Sequence, residues 1–284
     1  EARSLMDSLG ESINPTWFLQ YFATEFDVAK DEVFALTGPS GPSLIEASSL
    51  YETGKVAEAA AIYERIWSET DPNAVGAKYI HNHLAAARLE TAFAAGDWVP
   101  LVPDSTFAGW TIRSGEWRVE KDGSLMGVAQ EYLRIRCNAD FGNRIEFAAD
   151  VEFVEAGGRW PSIGVMLRFA EYRLYDEVTF YACKRRGLVS VTRSEVEEEE
   201  VTADADIEDV NSLRITVFDE TINVYLNGRH VIRDAQVDMH HPDAAKAIEL
   251  GSYYTGSGTS LRFSNMKVRR LTEHGQHQRP DRRR

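Results

Sequence analysis

The stretch Asn143-Arg-Ile-Glu-Phe-Ala-Ala-Asp-Val-Glu-Phe153 decides the fold. Ile145, Phe147, Ala149, Val151 and Phe153 fall on one parity; Arg144, Glu146, Asp150 and Glu152 fall on the other. Successive side chains of an extended chain point to opposite faces, so this period of two predicts a strand with one buried and one polar face. Runs of the same kind flank it: Trp117–Glu120, Ser124–Ala129, Tyr132–Asn138, Ile163–Phe169, Glu177–Lys184 and Leu188–Arg193. Further on come Ser212–Phe218, Ile222–Leu226, His230–Arg233, Ile248–Tyr253 and Ser260–Leu271. Asn227-Gly228 between two alternating runs is the signature of a type I′ hairpin. Many short strands with turn residues between them predict an antiparallel β-sandwich or jelly roll.

Ahead of Pro100 and Pro103 the period is helical. Pro15–Leu36 repeats Trp17, Tyr21 and Val28 near one face, and Gly38-Pro-Ser-Gly-Pro42 then stops any helix. Leu44–Thr53, a turn at Gly54, and Val56–Glu69 follow, ending at Asp71-Pro72, with another helix over Ala74–Ala95. Ala47, Tyr51, Gly54, Ala59, Tyr63 and Pro72 resemble the small and aromatic positions of a tetratricopeptide hairpin. One such repeat cannot bury its own face, so its cover must come from a neighbouring helix or from the sandwich. The expected organisation is a helical, repeat-like domain over 1–103, a β-sandwich over 104–271, and a basic tail over 272–284. The fold class is therefore α+β and multidomain.

Several segments of the sandwich carry a family resemblance. Phe107-Ala-Gly-Trp110, Gly115-Glu-Trp117 and Asp122-Gly-Ser-Leu-Met-Gly127 are similar to the opening of 3-keto-disaccharide hydrolase-type domains. Ile163-Gly-Val-Met-Leu-Arg168, Asn211-Ser-Leu-Arg-Ile215, Tyr225-Leu-Asn-Gly228 and Phe263-Ser-Asn-Met-Lys-Val268 agree in order and spacing. Those domains belong to the concanavalin A-like lectin/glucanase superfamily. The resemblance implies a carbohydrate-related ligand on the concave sheet and, in some members, hydrolysis or elimination of oxidised sugars. Most of the matching positions are structural, and Gly251-Ser-Tyr-Tyr-Thr-Gly256 departs from the more polar loop of the hydrolase-like members.

The net charge of −14 argues against nucleic acid as a general partner, because a polyphosphate needs a positive field. Acid is concentrated up front: residues 1–103 hold 6 Lys+Arg and 15 Asp+Glu, or −9. Arg279, Arg282, Arg283 and Arg284 give the end a basic tail, suited to an acidic partner or to peripheral contact with anionic lipid, or simply a frayed terminus. No apolar run approaches the ~20 residues of a membrane span. The chain starts at Glu1, so a leader upstream would be consistent with export to the periplasm or cell surface. Cys137 and Cys183 lie in apolar strands without a CxxC pair, which leaves buried thiols or one disulfide open.

Polar parity on the central strands selects Arg134, Arg136, Glu146, Asp150, Arg168 and Tyr181 as ligand-binding candidates. If their strands adjoin, arginines, carboxylates and a tyrosine line one groove suited to sugar hydroxyls. Cross-strand ion pairs on a solvated sheet give the same pattern. Asp204-Ala-Asp-Ile-Glu208 puts three carboxylates on one face of an extended chain; catalysis, a calcium site and a plain acidic connection all fit. His81 and His83 cannot share a helix face, and His240-His241 precedes Pro242. No catalytic residue, metal set or cofactor is expected from any motif present. The expected function is a non-catalytic interaction protein, lectin-like towards a glycan or a protein surface and suited to be an accessory subunit. The alternative is a glycoside-active hydrolase or lyase on keto-sugars.

Overall fold

The computed structural model describes residues 41–73, 77–130, 132–157, 161–169, 177–194, 199–236, 246–252 and 258–272. The helix expected over 15–36, the His240-His241 pair and the arginines of the tail lie outside the described residues. Three helices come first: α1 (Gly41–Glu52), α2 (Val56–Glu69) and α3 (Ala77–Ala94). The strands follow as β1 (Val99–Pro100), β2 (Trp110–Ser114), β3 (Glu116–Val119), β4 (Leu125–Val128) and β5 (Leu133–Cys137). Next are β6 (Arg144–Ala156), β7 (Ser162–Phe169), β8 (Glu177–Cys183), β9 (Leu188–Ser194) and β10 (Glu199–Asp204). Last are β11 (Val210–Phe218), β12 (Thr221–Leu226), β13 (Arg229–Gln236), β14 (Glu249–Ser252) and β15 (Thr259–Arg270).

They form two antiparallel sheets. One has eight strands in the order β13-β12-β11-β6-β15-β4-β3, with β1 added to β15; the other has seven, β10-β9-β8-β7-β14-β5-β2. The alternation of Asn143–Phe153 becomes β6, the centre of the eight-stranded sheet, with β11 on one side and β15 on the other. Its apolar parity enters the core, where Phe147, Val151, Ile135, Val165, Phe180, Ile215 and Phe263 are wholly buried. Asn227 and Gly228 both take positive φ, 51° and 75°, as the type I′ turn between β12 and β13 requires.

In β15, Asn265 is a left-handed residue (φ 51°) at a register shift between Ser264 and Lys267. This bulge adds one residue and changes the parity of the strand. Arg262 and Ser264 before it, and Lys267 and Arg269 after it, therefore all pair with outward residues of β6.

The helical hairpin turns at Gly54 (φ 77°), and Ala47, Ala59 and Tyr63 are fully buried where α1, α2 and α3 meet. On the other side α3 packs on the sandwich, with Phe93 edge-on to Phe141 at 5.2 Å. Asn82 Oδ1 accepts the Gly109 N–H at 3.2 Å. The residues just after α3 already belong to the sandwich: Val99 pairs with Val268, and Leu101 N–H donates to Met266 O. Among the described residues no helix is long and apolar enough to cross a membrane.

Three strands depart from the sequence reading. Val99–Pro100 forms β1, Trp110–Ser114 forms β2, and Glu199–Asp204, read as part of a solvated acidic connection, forms the edge strand β10 paired with β9. Charged residues are common on edge strands because they discourage pairing with other chains. Cys137 and Cys183 are both buried and free.

Candidate functional site

The outward face of the seven-stranded sheet carries the most concentrated recessed polar group among the described residues. In β5, Leu133, Ile135 and Cys137 enter the core, so Arg134 and Arg136 take the opposite face. Register places two rows across this face. One runs Ser190, Tyr181, Gly164, Gly251, Arg134 through β9, β8, β7, β14 and β5. The next runs Thr179, Met166, Glu249, Arg136, Thr111 through β8, β7, β14, β5 and β2.

The two central positions of the first row are glycines. Both Gly164 and Gly251 are buried, so two adjacent strands present no side chain between the Tyr181 position and Arg134. Gly251 is not replaceable there: a Cβ on it would fall 1.7 Å from the Leu133 carbonyl oxygen, inside the neighbouring backbone.

The second row forms a buried floor. Glu249 is 2% exposed, Arg136 4% and Met166 1%, although all three lie opposite the core. Arg134 Nε donates to Glu249 Oε1, and its Nη2 lies 3.5 Å from Met166 Sδ. Arg134 forms an ion pair with this buried carboxylate, and Arg136 lies opposite it in register on β5. Such a floor offers fixed guanidinium donors and a carboxylate acceptor to a ligand rich in hydroxyls. Burial pushes the Cys137 thiol up to about 12, so that sulfur, on the core side, is no nucleophile.

The six residues selected by parity do not share one groove. Arg134 and Arg136 lie together on β5, with Arg168 on β7 and Tyr181 on β8 of the same sheet. Glu146 and Asp150 lie on β6, in the other sheet, facing away from it across the core. Parity tells inside from outside; it does not tell which sheet a strand joins. On β6 both acids enter a ladder of ion pairs and hydrogen bonds. Glu146 accepts from Arg214 Nη1 at 3.2 Å and Arg269 Nε at 2.7 Å, Asp150 from Asn265 at 2.7 Å, and Glu152 from Arg262 at 2.7 Å.

Glu249 was legible yet passed over. Ile248 and Leu250 mark the core parity of that strand, which leaves Glu249 between them on the polar face. Asp204, Asp206 and Glu208 do share one side, lining a cleft of about 220 Å³ with Leu226, Asn227, Arg229 and Val231. Arg229 pairs with Asp206 at 3.0 Å, and the Asn227 side chain reaches the Asp206 carbonyl. Among the described residues no set of three His, Cys, Asp or Glu side chains is placed to hold a metal ion.

Solved structures with a similar sandwich include the carbohydrate-binding module CBM66 from Bacillus subtilis (TM-score 0.45, 15% identity, 61% of this chain and 99% of that one). Alginate lyase A1-II′ of polysaccharide lyase family 7 aligns with a TM-score of 0.43 and 13% identity over 64% of this chain and 98% of that one. A mutant of the GH43 protein BlXynB from Bacillus licheniformis aligns at 0.47 and 10% identity, over 62% of this chain and 39% of that one. No curated protein matches the chain. Over residues 97–269, more than half of its length and all but the last residue of the two sheets, the chain matches and belongs to the 3-keto-alpha-glucoside-1,2-lyase-like domain family.

Proposed function

We infer that the chain is a carbohydrate-recognising interaction protein whose sandwich binds a glycan on the outward face of the seven-stranded sheet, beside the Gly164–Gly251 pair. The observation that carries this reading is the buried Glu249 and Arg136 on the face opposite the core, with the half-buried Arg134 paired to Glu249. Desolvated ion pairs are costly to build, and a fixed donor–acceptor array repays that cost when it meets a ligand with complementary hydroxyls. Membership of a family named for a glucoside lyase supports a sugar as that ligand. Arg134 and Arg136 serve as donors and Glu249 as acceptor. The helical part over 1–103 tethers the sandwich to a protein partner, as an accessory subunit, while the tail over 272–284 forms a separate basic arm. The test is calorimetric titration with neutral and oxidised disaccharides hit on a glycan array. Binding that Glu249→Gln weakens by about tenfold or more agrees with the reading; equal binding by that variant places the ligand elsewhere.

The family's name favours a second reading, a lyase or hydrolase on 3-keto-glucosides. Elimination needs a base for the proton beside the keto group, and Glu249 is the carboxylate nearest Arg134 and Arg136 that this reading assigns to accept it. Turnover of a 3-keto-disaccharide that disappears in Glu249→Gln while binding persists would put this reading first.

A further inference from the structure

The outward face of the eight-stranded sheet differs from the proposed glycan site in every respect that matters for recognition. It is open, flat and crossed by a stripe of aromatic and cationic side chains. Glu146, 3% exposed, lies at the middle of the stripe and holds Arg214 of β11 and Arg269 of β15, one guanidinium on each carboxylate oxygen. Both arginine side chains remain more than 40% exposed. Each also rests on a ring: Arg214 lies 3.7 Å from the centroid of Tyr225, and Arg269 lies 4.7 Å from that of Trp98. Lys267, exposed, adds a second cation over Trp98 at 4.9 Å. His230 stacks on Tyr225 at 4.2 Å.

Register fixes the layout. Lys267 pairs with Ala148, Ala148 with Arg214, Arg214 with Tyr225, and Tyr225 with His230. A small residue, Ala148, thus lies between two cations, with Trp98 beyond one and Tyr225 beyond the other. Arg214 and Arg269 share the carboxylate of Glu146, and Lys267 adds a third positive charge beside Ala148, so three cations stand against the two carboxylates of Glu146 and Asp150, the latter bonded to Asn265. The bulge at Asn265 is what turns Lys267 and Arg269 outward.

We propose that this stripe is a docking surface for an acidic polypeptide segment, a run of Asp and Glu on a partner protein. Charge complementarity selects an acidic occupant. The rings select polypeptide over sugar: Tyr225 is flanked by Arg214 on one neighbouring strand and His230 on the other, so neither face is free to stack on a pyranose. Trp, Tyr and Arg are the residues that dominate protein–protein contacts. Here the guanidiniums are held in place by Glu146 and by the rings, so binding loses little side-chain freedom. Both guanidiniums remain more than 40% exposed, so carboxylates arriving over Ala148 can reach them.

The test uses the full chain and a labelled decaglutamate peptide, followed by fluorescence anisotropy in about 0.1 M salt. There the repulsive field of the whole chain is screened beyond roughly 10 Å and close contacts survive. Lys267→Glu leaves the Glu146 network intact and is expected to weaken binding roughly tenfold. Arg88→Glu, with the same charge change on α3, is expected to stay within about twofold of the parent, since Arg88 pairs with Glu64 far in sequence from the stripe. Decaglutamine is expected not to bind. Absence of decaglutamate binding, or equal weakening by both variants, overturns the proposal. Tighter binding of an oligogalacturonate than of the peptide, lost in Lys267→Glu, overturns the choice of a polypeptide. Loss of glycan binding in Glu249→Gln leaves this result untouched, so the two sites fail or succeed separately.

Discussion

Gly251 shows how a single residue can be required by its neighbour's backbone. A methyl group there would overlap the Leu133 carbonyl, and that oxygen belongs to a strand with no flexible side-chain end to move away. Gly251→Ala is therefore expected to cost about 2–3 kcal/mol, from forced separation of β14 and β5, read as a lowered melting temperature. An unchanged melting temperature would mean that the two strands do not approach so closely. Glu249, two residues earlier, carries a different prediction. Removing its charge leaves Arg134 and Arg136 facing a neutral amide in a site nearly closed to water. Glu249→Gln should cost about 3 kcal/mol in denaturant unfolding, as breaking a buried pair does; a fully neutral change would show that the pair is solvated. Parity put Arg134 and Arg136 on the right face from sequence alone. It could not pair them with Glu249, because residues 136 and 249 meet only through register, and register depends on contacts distant in sequence.

Helix α3 carries two titratable groups that act in opposite senses. Glu90 accepts the Tyr51 hydroxyl from α1 and the Asp140 N–H from the β5–β6 turn, linking hairpin and sandwich through one carboxylate. Burial pushes it up to about 7, despite those hydrogen bonds and with Asp140 adding to the rise. His83, packed among Tyr51, Tyr63 and Tyr79, is pushed down to about 4 by burial. For Glu90, the unfolded chain loses its proton first, near 4.5, so its contribution to stability falls as pH rises from 4.5 to 7. For His83, the unfolded chain gains its proton first, near 6.5, so its contribution falls as pH drops from 6.5 to 4. Each effect is up to about 3 kcal/mol, and they nearly cancel between pH 4.5 and 6.5. Urea unfolding across that range should show Glu90→Gln gaining stability with rising pH relative to the parent, and His83→Phe losing it. Parallel curves for all three proteins would refute both assignments. The positions of α1, α2 and α3 were readable from their period, but β10 was not. Its Glu-rich start has weak strand propensity, and it is a strand because Val201 and Ala203 pair with Val191 and Val189.

At the scale of the molecule, the alternating strands already implied two sheets, but which strand joins which sheet was not legible. The topology interleaves them: β5 and β7 enter one sheet while β6 between them enters the other. That is why Glu146 and Asp150 lie apart from Arg134 and Arg136, and why the sandwich has a recessed polar face and an open cationic one. The helices raise the same question of what belongs together. A domain boundary at 103 follows the change of period, yet Val99 and Leu101 are in the sandwich core, and Phe93 of α3 joins them there. Phe93 is 6% exposed and fills the space beside Phe141, so Phe93→Ala should cost about 3–4 kcal/mol. If α3 couples the hairpin to the sandwich, helical circular dichroism and tryptophan fluorescence will report one coincident melting transition in the parent. Phe93→Ala should then lower both together or split them, the helical signal melting first. Two separate transitions already present in the parent would instead show that the hairpin and sandwich fold independently, and that α3 only touches the sandwich without joining its cooperative unit.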